Sequence, residues 1–270
     1  MALPTPASDR TCLVTGASSG IGAELARQLA GRGLGLTLVA RRADRLRSLA
    51  DELAARHGVR AEVISADLTD QGARQHIATE VAERALVVDV LVNNAGFSTS
   101  GPVHGSDVDR EVAMIRTDVE AVAALCSIFV PGMVDRRRGA VLNVASTAAF
   151  QPLPGQAGYA AAKAFVLAYS QALRAELKGR GVTVTVLCPG PVDTEFADTA
   201  GFDDEATSAL PKIMWLSAEA VAKAAVDGLD KQRRVVVPGA ANRISAHAAQ
   251  LTPKRVLLPL LARQHPALRD

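Results

Sequence analysis

An open, doubly wound α/β fold, built on a mostly parallel seven-stranded sheet with helices on both faces, is what this sequence predicts, on three observations. Apolar, β-branched runs alternate with longer stretches of helical periodicity along the chain, the pattern of β-α units joined by crossovers of one hand. The strand candidates read as continuous apolar runs, as strands buried on both faces of a parallel sheet do. No Pro/Gly/Ser-rich linker divides the 270 residues, a length that suits one large domain.

Composition narrows the function classes. With 49% hydrophobic residues the chain can bury a substantial core, and a formal charge of +2 gives no electrostatic case for nucleic acid as a partner. Cys12, Cys126 and Cys188 lie far apart in apolar stretches, with no CxxC pair or Cys/His cluster. No metal site is therefore expected, and a reduced, cytoplasmic protein is. The opening MALPTPASDR lacks the apolar core of a signal peptide, and no uninterrupted apolar run is long enough to form a transmembrane segment.

The elements follow in order. Residues 1–10 form an N-terminal extension. A domain over 11–240 carries strand candidates at 11–15, 36–40, 61–66, 87–92, 140–145, 183–187 and 235–238. Helix candidates between them cover 21–32, 42–56, 106–134, 159–178 and 218–231, and a lid is expected over 195–217. Residues 241–270 form a helical tail.

The first strand runs into Thr15-Gly16-Ala17-Ser18-Ser19-Gly20-Ile21-Gly22, followed by good helix formers. Glycine removes Cβ where backbone must turn sharply or approach a phosphate closely. The helix behind it offers free N–H groups and the positive end of its dipole to an anion. This is a Rossmann-type turn, with candidate pyrophosphate contacts at Gly16, Ser18, Ser19, Gly20, Ile21 and Gly22. At the end of the second strand, where an acid would bind ribose hydroxyls, stand Arg41 and Arg42. Two guanidinium groups and no acid favour a 2′-phosphate, hence NADP(H), and Arg41 is nearest the strand end.

With Asn93-Asn94-Ala95-Gly96, Ser146, Tyr159-x3-Lys163 and Pro189-Gly190-Pro191-Val192-Asp193-Thr194 added to the Gly-rich turn, the chain resembles the short-chain dehydrogenase/reductase family over residues 11 to 194. The resemblance implies an NADP(H)-dependent oxidoreductase interconverting a carbonyl and an alcohol. Tyr159 and Lys163 share one helix face. A free tyrosine, with a pKa of about 10, is a poor acid or base at neutral pH, and a neighbouring ammonium is expected to lower that value. Tyr159 would then exchange the substrate proton, Ser146 would hydrogen-bond the substrate oxygen, and Lys163 would also hold the nicotinamide ribose. By the same resemblance Asp67 and Leu68 contact adenine, and Asn94, Ala95 and Gly96 border the adenosine ribose. Pro189, Gly190, Val192 and Thr194 hold the carboxamide.

One position departs from the family pattern. Asp118 stands where many members carry a catalytic asparagine that kinks its helix, so Asp118 is a further catalytic candidate. By the resemblance its backbone carbonyl still holds a proton-relay water, or its carboxylate instead pairs with Lys163, raising the lysine's pKa, or sits protonated. Phe97, Phe150, Leu153, Phe196, Phe202, Ile213, Met214, Trp215 and Leu216 are expected to rim an apolar substrate site, with His104 in the same region. The tail mixes leucines with arginines and lysines, and either packs on its own domain or a partner subunit or makes peripheral contact with a membrane surface. The long helices at 106–134 and 159–178 resemble the family's subunit interface, so a homodimer or homotetramer is expected. A nucleotide-sensing regulator and a lyase or epimerase are the alternative classes. The regulator reading is disfavoured because Tyr159 and Lys163 are both present.

Overall fold

The computed structural model describes residues 3–196, 211–264 and 268. Seven strands form one sheet, all pairs parallel: β1 (Arg10–Thr15), β2 (Leu36–Ala40), β3 (Ala61–Ser65), β4 (Val87–Asn93), β5 (Gly139–Val144), β6 (Val182–Leu187) and β9 (Val235–Val236), in the order β3-β2-β1-β4-β5-β6-β9. A separate two-stranded parallel ladder joins β7 (Val192–Asp193) to β8 (Leu216–Ser217). It pins together the two ends of the expected lid. Residues 197–210 of that lid, Phe202 among them, lie outside the described residues.

Alternation of side chains along buried strands explains why helices cover both faces. On β1, Cys12 and Val14 point into one core and Leu13 into the other; on β5, Ala140, Leu142 and Val144 oppose Val141. The first core is closed by α1 (Gly20–Ala30), α2 (Ala43–His57) and α7 (Ala218–Asp230), the second by α3 (Gln71–Glu83), α5 (Ala121–Asp135) and α6 (Ala157–Glu176). The order reverses at β1, which has β2 on one side and β4 on the other. In open α/β sheets the crevice at the carboxyl ends beside such a switch point is where ligands bind.

Three departures from the sequence reading have physical causes. The helix expected over 106–134 is broken into α4 (Val108–Ile115), a π-helical turn (Arg116–Glu120) and α5. The whole stretch Val108–Asp135 is long and apolar enough to cross a membrane by length and composition. Here Met114, Asp118 and Leu125 are buried within the fold instead. Helix α3 was not among the expected segments, because its inward face holds only Arg74, Ile77 and Val81; its clear signal is the Asp70 cap, which accepts from Ala73 N–H at 2.7 Å. The last strand is short, pairing with β6 only at Val235 and Val236, since Pro238 has no N–H to extend the ladder. The tail forms two helices, α8 (Ala240–Leu251) and α9 (Lys254–Gln264).

At the opposite edge of the sheet, buried Asp89 of β4 meets Arg138 at 2.8 Å, Arg10 at 3.4 Å and Arg136 at 3.8 Å. One carboxylate thus ties the start of β1 to the turn between α5 and β5. Asp89→Ala should lower unfolding free energy by about 2 kcal/mol in urea titration, below the ~3–5 kcal/mol of fully buried pairs because the arginines are partly hydrated.

Candidate active site

A single cavity of about 1260 Å³ runs along the carboxyl edge of the sheet, from the turn after β1 to the tail helices. Every residue nominated from the sequence for cofactor contact lines it, as do Ser146, Tyr159 and Lys163. Asp118 lies just behind the wall, fully buried.

The turn after β1 is shaped by the absence of side chains. Gly16 and Gly20 have φ of +65° and +53°, a region that only glycine adopts without strain. A Cβ on Gly22 would lie 2.2 Å from the Gly16 carbonyl oxygen and 2.5 Å from Asn94 Nδ2. Asn94 fills the space so protected: its amide donates to the Thr15 and Gly16 carbonyls at 2.9 and 3.3 Å. The Thr15 hydroxyl accepts from the Asn94 and Ala95 N–H groups at 3.0 and 3.1 Å. Thr15 is a supporting residue that the sequence reading did not single out. At the start of α1, Ser19 makes no side-chain cap and the first turn holds no acid. Its N–H groups and the positive end of its dipole are therefore offered to the cavity, and these residues fit a bound pyrophosphate.

Beyond the turn, Arg42 reaches back to donate to Ser18 Oγ at 3.0 Å and Ser19 Oγ at 2.7 Å. It also pairs with Glu195 at 2.8 Å, and Arg45 meets the same carboxylate at 2.6 Å. The two guanidinium groups hold the Glu195 carboxyl down at about 2. Arg41 stands beside Arg42 on the cavity wall, near enough to Asp67 to stabilise its charge. Asp67 accepts from the N–H and hydroxyl of Thr69, both at 2.9 Å.

At the other end, Lys163 donates to the Val144 carbonyl at 3.2 Å and pairs with Asp118 at 2.9 Å. Both side chains are almost wholly buried, 5% and 0% exposed. The π-helical turn carries Asp118 inward, where its other oxygen accepts from Phe97 N–H at 3.1 Å. Gly96 makes room: a Cβ there would lie 2.9 Å from either carboxylate oxygen. Tyr159 is one helical turn from Lys163, whose ammonium lies 5.6 Å from the ring centre. Ser146 lies two residues beyond β5 and caps the short turn Thr147–Phe150, its hydroxyl accepting from Ala148 N–H at 3.1 Å.

The electrostatics match one sequence expectation, the pairing of Asp118 with Lys163, and depart from another at Tyr159. Burial works to discharge Lys163, but the Asp118 charge and hydrogen bond, with help from Tyr159 and Cys188, together outweigh it and hold the lysine above its ordinary value. Burial pushes the Asp118 carboxyl up, with Lys163 and the Phe97 N–H pulling against it. The Tyr159 phenol, expected to be lowered by Lys163, is raised instead: burial dominates, Asp118 opposes a second anion, and Lys163 and the Ser146 hydrogen bond recover only part. The ammonium acts on the tyrosine as expected, but burial outweighs it and the acid at 118 offsets part of its pull.

Of the expected rim, Phe97, Leu153, Phe196, Met214 and Trp215 face the cavity. Phe150 packs instead with Val166 and Val186, and Leu216 against the core of α1 and α7. Ile213 is 79% exposed, and neither it nor His104 lines the cavity. The tail supplies wall residues the sequence reading missed: Ala246, Ala249, Thr252, Leu257 and Leu261. The three-residue spacing of Ala246, Ala249 and Thr252 and the four-residue spacing of Leu257 and Leu261 were the available signal.

Comparison with known proteins gives the chain its relatives. The model of the short chain dehydrogenase family matches residues 10–205. An uncharacterized oxidoreductase of Myxococcus xanthus is 39% identical over 195 residues, covering 72% of this chain and 77% of the relative. A short-chain dehydrogenase from Sphingobium yanoikuyae, solved in complex with NADPH, superposes with a TM-score of 0.80 at 34% identity, covering 93% of this chain and 95% of that one. A bulky-bulky ketone specific alcohol dehydrogenase from Comamonas testosteroni gives 0.75 at 30% identity, covering 98% and 93%.

Removing one partner of the buried pair should expose its strength. Lys163→Met leaves Asp118 without its cation and should destabilise the fold by ~3–5 kcal/mol at neutral pH. In that variant burial alone raises the folded carboxyl above its unfolded value, so the deficit is present at neutral pH and shrinks as pH falls and the carboxyl takes up a proton. Denaturant titrations at neutral and mildly acidic pH measure both effects.

Proposed function

The chain belongs to the short-chain dehydrogenase family, and from that premise we propose that it is an NADP(H)-dependent oxidoreductase interconverting a bulky, apolar ketone and its alcohol. The observation that carries this reading is the shared cavity: a glycine-rich turn with two arginines at one end, and Ser146, Tyr159 and Lys163 at the other.

The glycine turn, Ser18, Ser19 and the start of α1 hold the pyrophosphate, and Arg41 and Arg42 take the 2′-phosphate. Because Glu195 shares Arg42 with the serines, a phosphate there competes with an acid of this chain, and Arg41 carries more of the discrimination. Asp67 and Leu68 border the adenine, and Asn94, Ala95 and Gly96 its ribose. Pro189, Gly190, Val192 and Thr194 face the nicotinamide end, with Lys163 on the ribose hydroxyls. When bound, nicotinamide supplies or accepts the hydride.

Tyr159 moves the proton. With its phenol held protonated by burial and by Asp118, it donates to the carbonyl oxygen as the carbon is reduced, while the Ser146 hydroxyl stabilises the charge growing on that oxygen. Asp118 acts through Lys163 and is a positioning residue. Phe97, Leu153, Phe196, Met214, Trp215 and Leu257 make an apolar wall that suits a bulky ketone better than a sugar phosphate. The bulky-ketone enzyme among the similar structures supports this substrate class. Exposed Val108, Val112 and Ile115 on α4 and Phe165 on α6 support a homodimer or homotetramer built on those helices.

Two outcomes follow. In fluorescence titrations NADPH should bind roughly tenfold or more tighter than NADH, as one charge-assisted contact is worth about 1.5–3 kcal/mol. Arg41→Asp should flatten or reverse the preference, and equal affinities in the unaltered protein would contradict the assignment. In a screen of bulky ketones followed by nicotinamide absorbance, Tyr159→Phe should abolish turnover while leaving NADPH binding nearly intact. Substantial residual turnover would move the proton chemistry elsewhere.

A further inference from the structure

The tail helices have a second side that the cavity does not use. They turn Ala249, Thr252, Leu257 and Leu261 inward to the cavity. On the other side Ile244, Leu251, Val256, Leu258 and Leu260 are 70%, 84%, 58%, 37% and 52% exposed. On α9, Val256, Leu260 and Arg263 fall at i, i+4 and i+7, so they share one outward stripe.

Charge identifies what this side faces. From Ala240 onward the sequence carries Arg243, Lys254, Arg255, Arg263 and Arg269, and its one acid is Asp270. The whole chain has 30 basic and 28 acidic residues, so everything before Ala240 is net acidic. The positive charge is concentrated where the leucines are exposed. Apolar side chains interleaved with cations, on helices too short to span a bilayer, make an element that lies in the interface of an anionic membrane. A second copy fits less well, because a twofold contact through α9 would set Lys254, Arg255 and Arg263 against their own duplicates. The apolar strip on α4 and α6 offers a separate face for self-association.

We infer that α8 and α9 dock the protein onto an anionic lipid surface, with the inner faces of the same helices forming the adjacent cavity wall. Docking does not depend on the proposed reaction, and vesicle binding is read without turnover. The full chain is sedimented with phosphatidylcholine vesicles, with and without phosphatidylglycerol, at low and high salt. It should pellet with the phosphatidylglycerol vesicles and be largely released by salt. Lys254→Glu with Arg255→Glu should weaken that binding by more than roughly tenfold. Val256→Ser with Leu260→Ser should also weaken it, with circular dichroism unchanged for both pairs. Equal pelleting with both vesicle types, or none with either, overturns the inference. So does a serine pair that lowers the mass in solution while leaving vesicle binding intact, which would assign the face to a second copy.

Discussion

A lysine buried at the end of a sheet keeps its charge only if something nearby replaces the water it has lost, and here that something is Asp118. The pair at 2.9 Å sets much of the local architecture. The π-helical turn puts the carboxylate inside the fold, Gly96 leaves it room, and the Phe97 N–H and Val144 carbonyl each add one hydrogen bond to the pair. The pair gives Lys163 a fixed position on the face it shares with Tyr159 and so fixes the geometry of the proton donor. It also has an electrostatic consequence: Asp118 offsets part of the pull that Lys163 exerts on a phenolate, and burial then decides where Tyr159 titrates.

The opposite end of the cavity is organised by backbone rather than charge. Thr15 and Asn94 spend their side chains on the glycine turn, so the chain's own hydrogen bonds shape the turn and leave its N–H groups available. The arginines next to it are less committed, since Arg42 is divided between two serines and Glu195. Between the two ends, the tail helices close the wall. Gly190 lets that packing happen: a Cβ there would lie 2.3 Å from Asn242 of α8.

Much of this was legible in the sequence because it rests on local signals. Continuous apolar runs located the strands to within a residue or two, and the Gly-rich turn, Asn94 and the Tyr159–Lys163 spacing all came to one cavity. What was not legible depends on long-range packing. Helix α3 has too few apolar residues for its periodicity to stand out, and a π turn changes no composition that a periodicity count would notice. The fate of Phe150, Leu216 and the inner faces of α8 and α9 is decided by neighbours distant in sequence. The sign of the Tyr159 shift was missed for a related reason: spacing reports that an ammonium is near, and the departure at Asp118 that an acid can pair with it, but not how deeply all three are buried.

The chain has only two tyrosines, Tyr159 and Tyr169, so NMR of tyrosine-labelled protein can follow the Tyr159 phenol directly through a pH titration. Tyr169, pushed by burial up to about 12, serves as the internal comparison. Tyr159 should titrate above the ordinary phenol value of about 10, and Asp118→Asn should move it to lower pH by removing the neighbouring negative charge. A Tyr159 that titrates at or below the ordinary value, or that is indifferent to Asp118→Asn, would contradict the control of the proton donor by the buried pair.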